Sequence, residues 1–274
     1  MNISEYVLKI LPVHRCPLCE KEKYLKRRQT HMLNKNELEK IVINSPEELR
    51  PFEGKDLTGK YIVMSVTVKD IKLGSLEGCV IEGGGIVCTK LSRCNIYDTD
   101  YTYADEIYLS IFQRCKSITC GGLDEGYSVK ASQFLNCGEI LMYDATVEDC
   151  IFDNFRIMFP TNVEMSNCII SNITCEEDWA ISMEDGEFTN ISFENIELKN
   201  DSYLIEGYGN PWVGDSVFVN VRTSREDCEL FHMEETKGKI FKKKVEYSFV
   251  DEDTCSGLEL VPFFSRMNRE DAND

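Results

Sequence analysis

Cys150-Ile-Phe-Asp-Asn-Phe155 and Cys168-Ile-Ile-Ser-Asn-Ile173 are two copies of one phrase, and their first residues lie 18 positions apart. Each reads as a small residue, a spacer, a bulky residue, a spacer, Asn and an apolar residue. The phrase recurs outward in both directions. Before it stand Thr89-Lys-Leu-Ser-Arg-Cys94, Ser110-Ile-Phe-Gln-Arg-Cys115 and Ser132-Gln-Phe-Leu-Asn-Cys137. After it stand Ile191-Ser-Phe-Glu-Asn-Ile196 and Ser216-Val-Phe-Val-Asn-Val221. Successive copies are 21, 22, 18, 18, 23 and 25 residues apart. A repeat near twenty residues with room for short strands predicts a solenoid, because one such unit cannot bury its own apolar face and must stack on its neighbours.

Alternation along a strand puts the small residue and the bulky residue two places later on one face. That face is expected to point inward. Leu91, Phe112, Phe134, Phe152, Ile170, Phe193 and Phe218 then form one internal column. Cys94, Cys115, Cys137, Phe155, Ile173, Ile196 and Val221 form another beyond a turn. Asn tolerates left-handed backbone angles, so Asn136, Asn154, Asn172, Asn195 and Asn220 are expected at equivalent bends. Their side chains are expected to point mostly inward onto backbone, with Arg93 and Arg114 interrupting the series. A β-sandwich with recurrent Asn turns is the competing reading.

The pattern resembles the right-handed parallel β-helix proteins, the group of the pectate-lyase-like folds and the pentapeptide-repeat proteins. The small–x–bulky–x–x unit is pentapeptide-like on one face of each turn, while the uneven turn lengths favour a general β-helix. The resemblance implies an all-β solenoid over residues 61–225, preceded by a basic N-terminal segment and helical cap (1–60) and followed by a C-terminal cap and tail (226–274). It implies little about activity, since one fold hosts many functions.

Composition narrows the class. The chain has 274 residues and a formal charge of −18. Residues 9–40 run against that balance at +5, with nine Lys or Arg against four acids. This asymmetry suggests a basic interaction segment, with nucleic acid as one conceivable contact, on an acidic body. No apolar run reaches the length of a membrane span and the N-terminus lacks a secretory pattern, so no membrane contact and a cytoplasmic location are expected. Thirteen cysteines, many at inward positions of the phrase, read as reduced packing residues.

Residues 2–11 carry Ile3, Tyr6, Val7, Ile10 and Leu11 at helical spacing before Pro12, which predicts a capping helix. A second helix is expected from Asn34, with Glu37 three residues on and Leu38, Ile41 and Val42 apolar. Cys16 and Cys19, with His14 and His31 nearby, have the spacing of a zinc site, although no second Cys pair closes it. Zinc is therefore the one candidate cofactor.

The segments 97–105, 121–126 and 207–214 separate copies of the phrase and are expected as loops. Solenoid insertions often share a binding face. Tyr101, Tyr103, Asp124 and Trp212 are the expected contact residues. Acids crowd the same segments, but neither the paired aspartates nor the Gly-His-Gly motif of β-helix glycosidases occurs. The expectation is a protein-binding scaffold without turnover. The alternatives are an acidic mimic of DNA that inhibits a nucleic-acid-handling enzyme, and a polysaccharide lyase or hydrolase.

Overall fold

The computed structural model of the protein describes residues 33–122, 126–209, 211–214, 216–225, 230–233 and 265–266. The predicted helix at 2–11, the Cys16/Cys19 pair with His14 and His31, Asp124, and most of the expected C-terminal cap lie outside these residues.

The described chain is a parallel β-solenoid of about eight turns. Each turn lays a short strand into an eleven-stranded sheet and returns through a fifteen-stranded one. In the first sheet Ile111–Gln113, Gln133–Leu135, Ile151–Asp153 and Ile169–Cys175 pair in parallel and in register. A two-residue Ser265–Arg266 strand closes that sheet antiparallel to Val217–Thr223. The parallel pairing begins at Glu39–Ile43, well before residue 61. The segment expected to be a second helix is a 3₁₀ turn, Lys35–Glu37, capped by Asn34, followed by that strand. The β-branched run Ile41-Val-Ile43 and pairing with Lys60–Met64 override the helical spacing of its apolar residues.

The turns are short because their corners use left-handed backbone. Asp149, Asn154, Asn167, Asn172, Asn190 and Asn195 all have φ between 54° and 57°. Paired corners lie five residues apart, as in Asp149 to Asn154 and Asn167 to Asn172. A further left-handed corner precedes by five again at Asp144, Asn162 and Asp185. The repeated phrase is thus the side of a polygon: a corner, an inward residue, a spacer, an inward residue, a spacer and the next corner. One turn carries it more than once, and a longer side completes the circuit.

This multiplicity explains a register error in the sequence reading. Thr89–Cys94 has the right letters but lies on a neighbouring side. Leu91 stacks between Leu76 and Ile107 in the second sheet, and Arg93 turns the corner that precedes the first-sheet strand. The first-sheet column is Ile62, Ile81, Ile96, Phe112, Phe134, Phe152, Ile170, Phe193 and Phe218. Every member is at most 1 % exposed. Phe112, Phe134 and Phe152 stack at 4.9 and 4.8 Å with nearly parallel rings, and Phe193 lies 5.0 Å from Phe218. In-register parallel strands force this arrangement, since their separation is also a stacking distance.

The corner before the first-sheet strand takes a small polar residue for a hydrogen-bonding reason. The Ser110 hydroxyl donates to the Tyr108 carbonyl (3.0 Å) and accepts the Cys94 N–H (3.1 Å). The Ser132 hydroxyl repeats this with Lys130 and Ser110, and Cys168 accepts the Cys150 N–H at 3.4 Å. A buried backbone N–H that the sheet ladder leaves free at a bend needs such a partner. Cys94 belongs to this column, not to the column of Cys115 and Cys137.

The Asn ladder exists but faces the other way. Asn154 donates to Asn136 (2.8 Å), Asn195 to Asn172 (3.2 Å) and Asn220 to Asn195 (2.9 Å), side chain to side chain. All but the half-buried Asn220 are exposed. A left-handed residue between two inward neighbours turns its side chain outward, so the expected inward contacts to backbone do not form. Arg114 occupies an equivalent corner, points outward and bonds Asp98 through two contacts of 2.7 Å.

A candidate binding stripe on the long side

The strand Tyr101–Tyr108 was expected to be loop up to Asp105. It is instead one of the longest strands, held between Gly85–Ser92 and two later strands. Its alternation is strict at the start. Thr102 and Ala104 are fully buried, while Tyr101, Tyr103 and Asp105 point outward and are half-buried. Thr102 meets Thr99 through hydroxyls 2.9 Å apart, which satisfies both inside the core.

Parallel register extends the outward face across neighbouring turns. Val87, Tyr103, Thr119, Leu141 and Phe159 form one outward column. Tyr101 stands on one side of Tyr103, and Tyr143 flanks Leu141 on the other. In Glu139–Tyr143 the inward residues are Ile140 and Met142, so Leu141 is apolar on the outer face of an already apolar strand. The same holds for Phe159 between Met158 and Pro160. Five strands at about 4.8 Å spacing make a stripe roughly 20 Å long.

Charged groups border the stripe, and the structure holds them in pairs. The Lys72 ammonium meets the Asp105 carboxylate at 2.6 Å and lies 5.6 Å from the Tyr103 ring centre. Lys69 sits 4.3 Å above the Tyr101 ring. Lys90 pairs with Glu106 at 2.6 Å, and Arg156 pairs with Glu139 and Glu177. Burial and the Asp105 carboxylate raise the Tyr103 phenol, and burial raises that of Tyr143. Both tyrosines therefore keep a neutral phenol near pH 7.

The backbone beside the stripe tolerates no bulk. Gly121 has φ of 99°, and a Cβ there would lie 1.9 Å from the Tyr143 carbonyl oxygen. Its neighbour Gly122 packs against the hydroxyl ends of Tyr127 and Tyr103.

Of the four contact residues expected from sequence, Tyr101 and Tyr103 come together here. Asp124 is outside the described residues. Trp212 lies on Trp212–Gly214, which is five strand spacings beyond the Tyr101–Tyr108 strand and on another side of the turn. It is about 24 Å along the axis from Tyr103 and not part of the stripe. Sequence reasoning missed Leu141, Tyr143 and Phe159, because they lie on strands and not in the segments between copies of the phrase. Glu139-Ile-Leu-Met-Tyr143 and Ile157-Met-Phe-Pro-Thr161 carried the signal: strands whose two faces are both apolar. Among the described residues no cluster of His, Cys, Asp and Glu is arranged to hold a metal ion, and no helix is long and apolar enough to cross a membrane.

Comparison of this chain with protein families, with curated proteins and with solved structures gave no match.

Proposed function

We propose that the protein is a binding scaffold whose long side, through Tyr101, Tyr103, Leu141, Tyr143 and Phe159, receives a protein partner. The observation that carries this reading is the outward column Val87, Tyr103, Thr119, Leu141 and Phe159, aromatic or aliphatic at every turn but that of Thr119. It is rimmed by charged groups, and its tyrosines are half-buried beside lysine ammonium groups. Those properties suit a macromolecular interface, where anchoring aromatics supply most of the energy and rim charges set approach rate. Asp105, Glu106 and Glu139, carboxylates beside the stripe, are engaged by Lys72, Lys90 and Arg156. A general acid or base for sugar cleavage would need a carboxyl group directed at a substrate instead. The same cross-turn pairing continues at Asp98, Asp100 and Glu148, which breaks up the acidic surface a mimic of DNA would present.

Affinity capture with the full chain as bait tests the reading. A captured protein that binds the pure chain directly, and is lost with Tyr103→Ala, is the expected result. A complex that Tyr103→Ala and Phe159→Ala leave intact, or turnover of an acidic polysaccharide by the pure chain, would refute it.

A further inference from the structure

The outward column of the stripe does not end at Phe159. Register carries it on through Ser182 and Glu206 to His232. In Trp179–Glu184 the inward side chains Ile181 and Met183 are wholly buried, while Ser182 is half-buried and Glu184 exposed. Glu206 is half-buried in a strand whose inward residues are Ile205 and Gly207. The apolar stripe therefore runs into two carboxyl-bearing residues on the same outer face. Glu206 lies two strand spacings, about 9.6 Å, beyond Phe159, and Glu184 is its diagonal neighbour.

These acids differ from those beside the earlier turns. Asp105, Glu106 and Glu139 each meet a Lys or Arg. Asp178, just before the Trp179–Glu184 strand, and Glu184 and Glu206 on the long side form no ion pair with a Lys or Arg among the described residues. The cations nearest in the fold are committed elsewhere. Arg156 is shared by Glu139 and Glu177. Arg225 lies 4.1 Å above the Tyr203 ring and donates to the Asp201 carbonyl at 2.9 Å. His232, next to Glu206 in the column, packs against the Tyr203 ring at 4.9 Å. One oxygen of Glu206 is covered from solvent and accepts no hydrogen bond. Carboxylates left uncompensated beside an apolar surface favour an approaching cation, and the attraction strengthens as the interface sheds water.

We propose that the partner presents an apolar segment flanked on one side by Lys or Arg, with the apolar side chains seated on Tyr103, Leu141 and Phe159 and the cations on Glu184 and Glu206. This rests on the reading of the stripe as the binding surface and adds the partner's chemistry and its direction. The two ends of the long side are not equivalent. At the Tyr103 end each carboxylate already has a cation, so a basic group gains little there. At the Glu206 end it meets carboxylates without one. The polarity along the axis fixes which way round the partner lies.

Three labelled synthetic peptides titrated with the full chain test this by fluorescence anisotropy. Each has about 16 residues, enough to span the roughly 24 Å from Tyr103 to Glu206 even as a helix. They share one block bearing Leu and Phe and end in Lys and Arg, in Gln, or in Glu. The Lys/Arg peptide is expected to bind tightest and to weaken with added salt, which the Gln peptide does not. Glu184→Gln with Glu206→Gln should weaken the Lys/Arg peptide by at least about fivefold and leave the Gln peptide unchanged. Should Glu206→Gln fail to fold, Asp178→Asn with Glu184→Gln, both at exposed positions, gives the same decision. Tyr103→Ala should weaken all the peptides that bind. If the three peptides bind alike and lose affinity together with Tyr103→Ala, the stripe stands and the basic partner is overturned. If the Lys/Arg peptide responds to the carboxylate variants but not to Tyr103→Ala, the stripe falls, and this proposal with it. Binding by none of the three overturns the proposal and leaves the stripe to be judged by affinity capture.

Discussion

A single residue choice decides whether each turn can close. At φ near 54° an L-residue with a Cβ is strained by roughly 1–2 kcal/mol, and Asn bears this better than most. Asn154 adds a bond to Asn136 at 2.8 Å and so joins its corner to the turn before it. Asn154→Gly relieves the backbone strain and loses only the ladder, so it is expected to cost about 1 kcal/mol. Asn154→Ala loses the ladder and takes on the strain, so it should cost about 2 kcal/mol. Urea unfolding of both variants checks the order, and an alanine variant as stable as the glycine one would contradict it. The corner was legible in the sequence because Asn, Asp and Gly recur there. The direction of its side chain was not, since that depends on which of its neighbours face the core. Inside, Phe152→Ala opens a hole between Phe134 and Ile170 in a column with no exposed member. Equilibrium unfolding should show a loss of about 3–5 kcal/mol, and a loss below about 1.5 kcal/mol would mean the column is not tightly packed.

The five-residue side is the element from which the molecule is assembled, and its repetition is both why the fold could be read and why one copy was misplaced. Any side bounded by left-handed corners shows a bulky residue two before the corner and a small or apolar one after it. Leu76-Glu-Gly-Cys79, Leu91-Ser-Arg-Cys94 and Met165-Ser-Asn-Cys168 satisfy this on the side before the first sheet. Sequence spacing alone does not say which side a copy occupies; the hydrogen-bonded register does. The candidate site suffered from the same limit. Tyr101 and Tyr103 stood out as aromatics, but Leu141 and Phe159 become their neighbours only once the register is known. The stripe makes a prediction at this scale. Leu141→Asp places a charge within it, between Thr119 and Phe159, without touching the core and should weaken the partner complex at least as much as Tyr103→Ala, by about 2 kcal/mol or more. Trp212→Ala, about 24 Å away along the axis, should leave that affinity within about 0.5 kcal/mol of the parent. Calorimetric titration of the isolated complex reads both, and a dominant Trp212 with a silent Leu141 would relocate the binding surface.

At the scale of the described molecule, most contacts are vertical: a residue touches its equivalents one turn before and one turn after. Such quasi-one-dimensional packing gives a simple rule for which side chains can meet. Phe112 and Phe134 touch, Phe134 and Phe152 touch, and Phe112 and Phe152 lie two strand spacings apart, about 9.6 Å. Charge follows the same geometry. Arg114 to Asp98 and Lys130 to Glu148 are cross-turn pairs on an exposed surface, and pairs of that kind add little stability while organising the surface. The central claim is therefore one of register, that successive phenylalanines of the repeat occupy the same place on successive turns. Nuclear Overhauser spectroscopy with selectively labelled phenylalanine tests it most directly. Ring-to-ring cross-peaks are expected for Phe112 with Phe134 and for Phe134 with Phe152, and none for Phe112 with Phe152. A missing Phe134–Phe152 contact, or a direct one between Phe112 and Phe152, would contradict it.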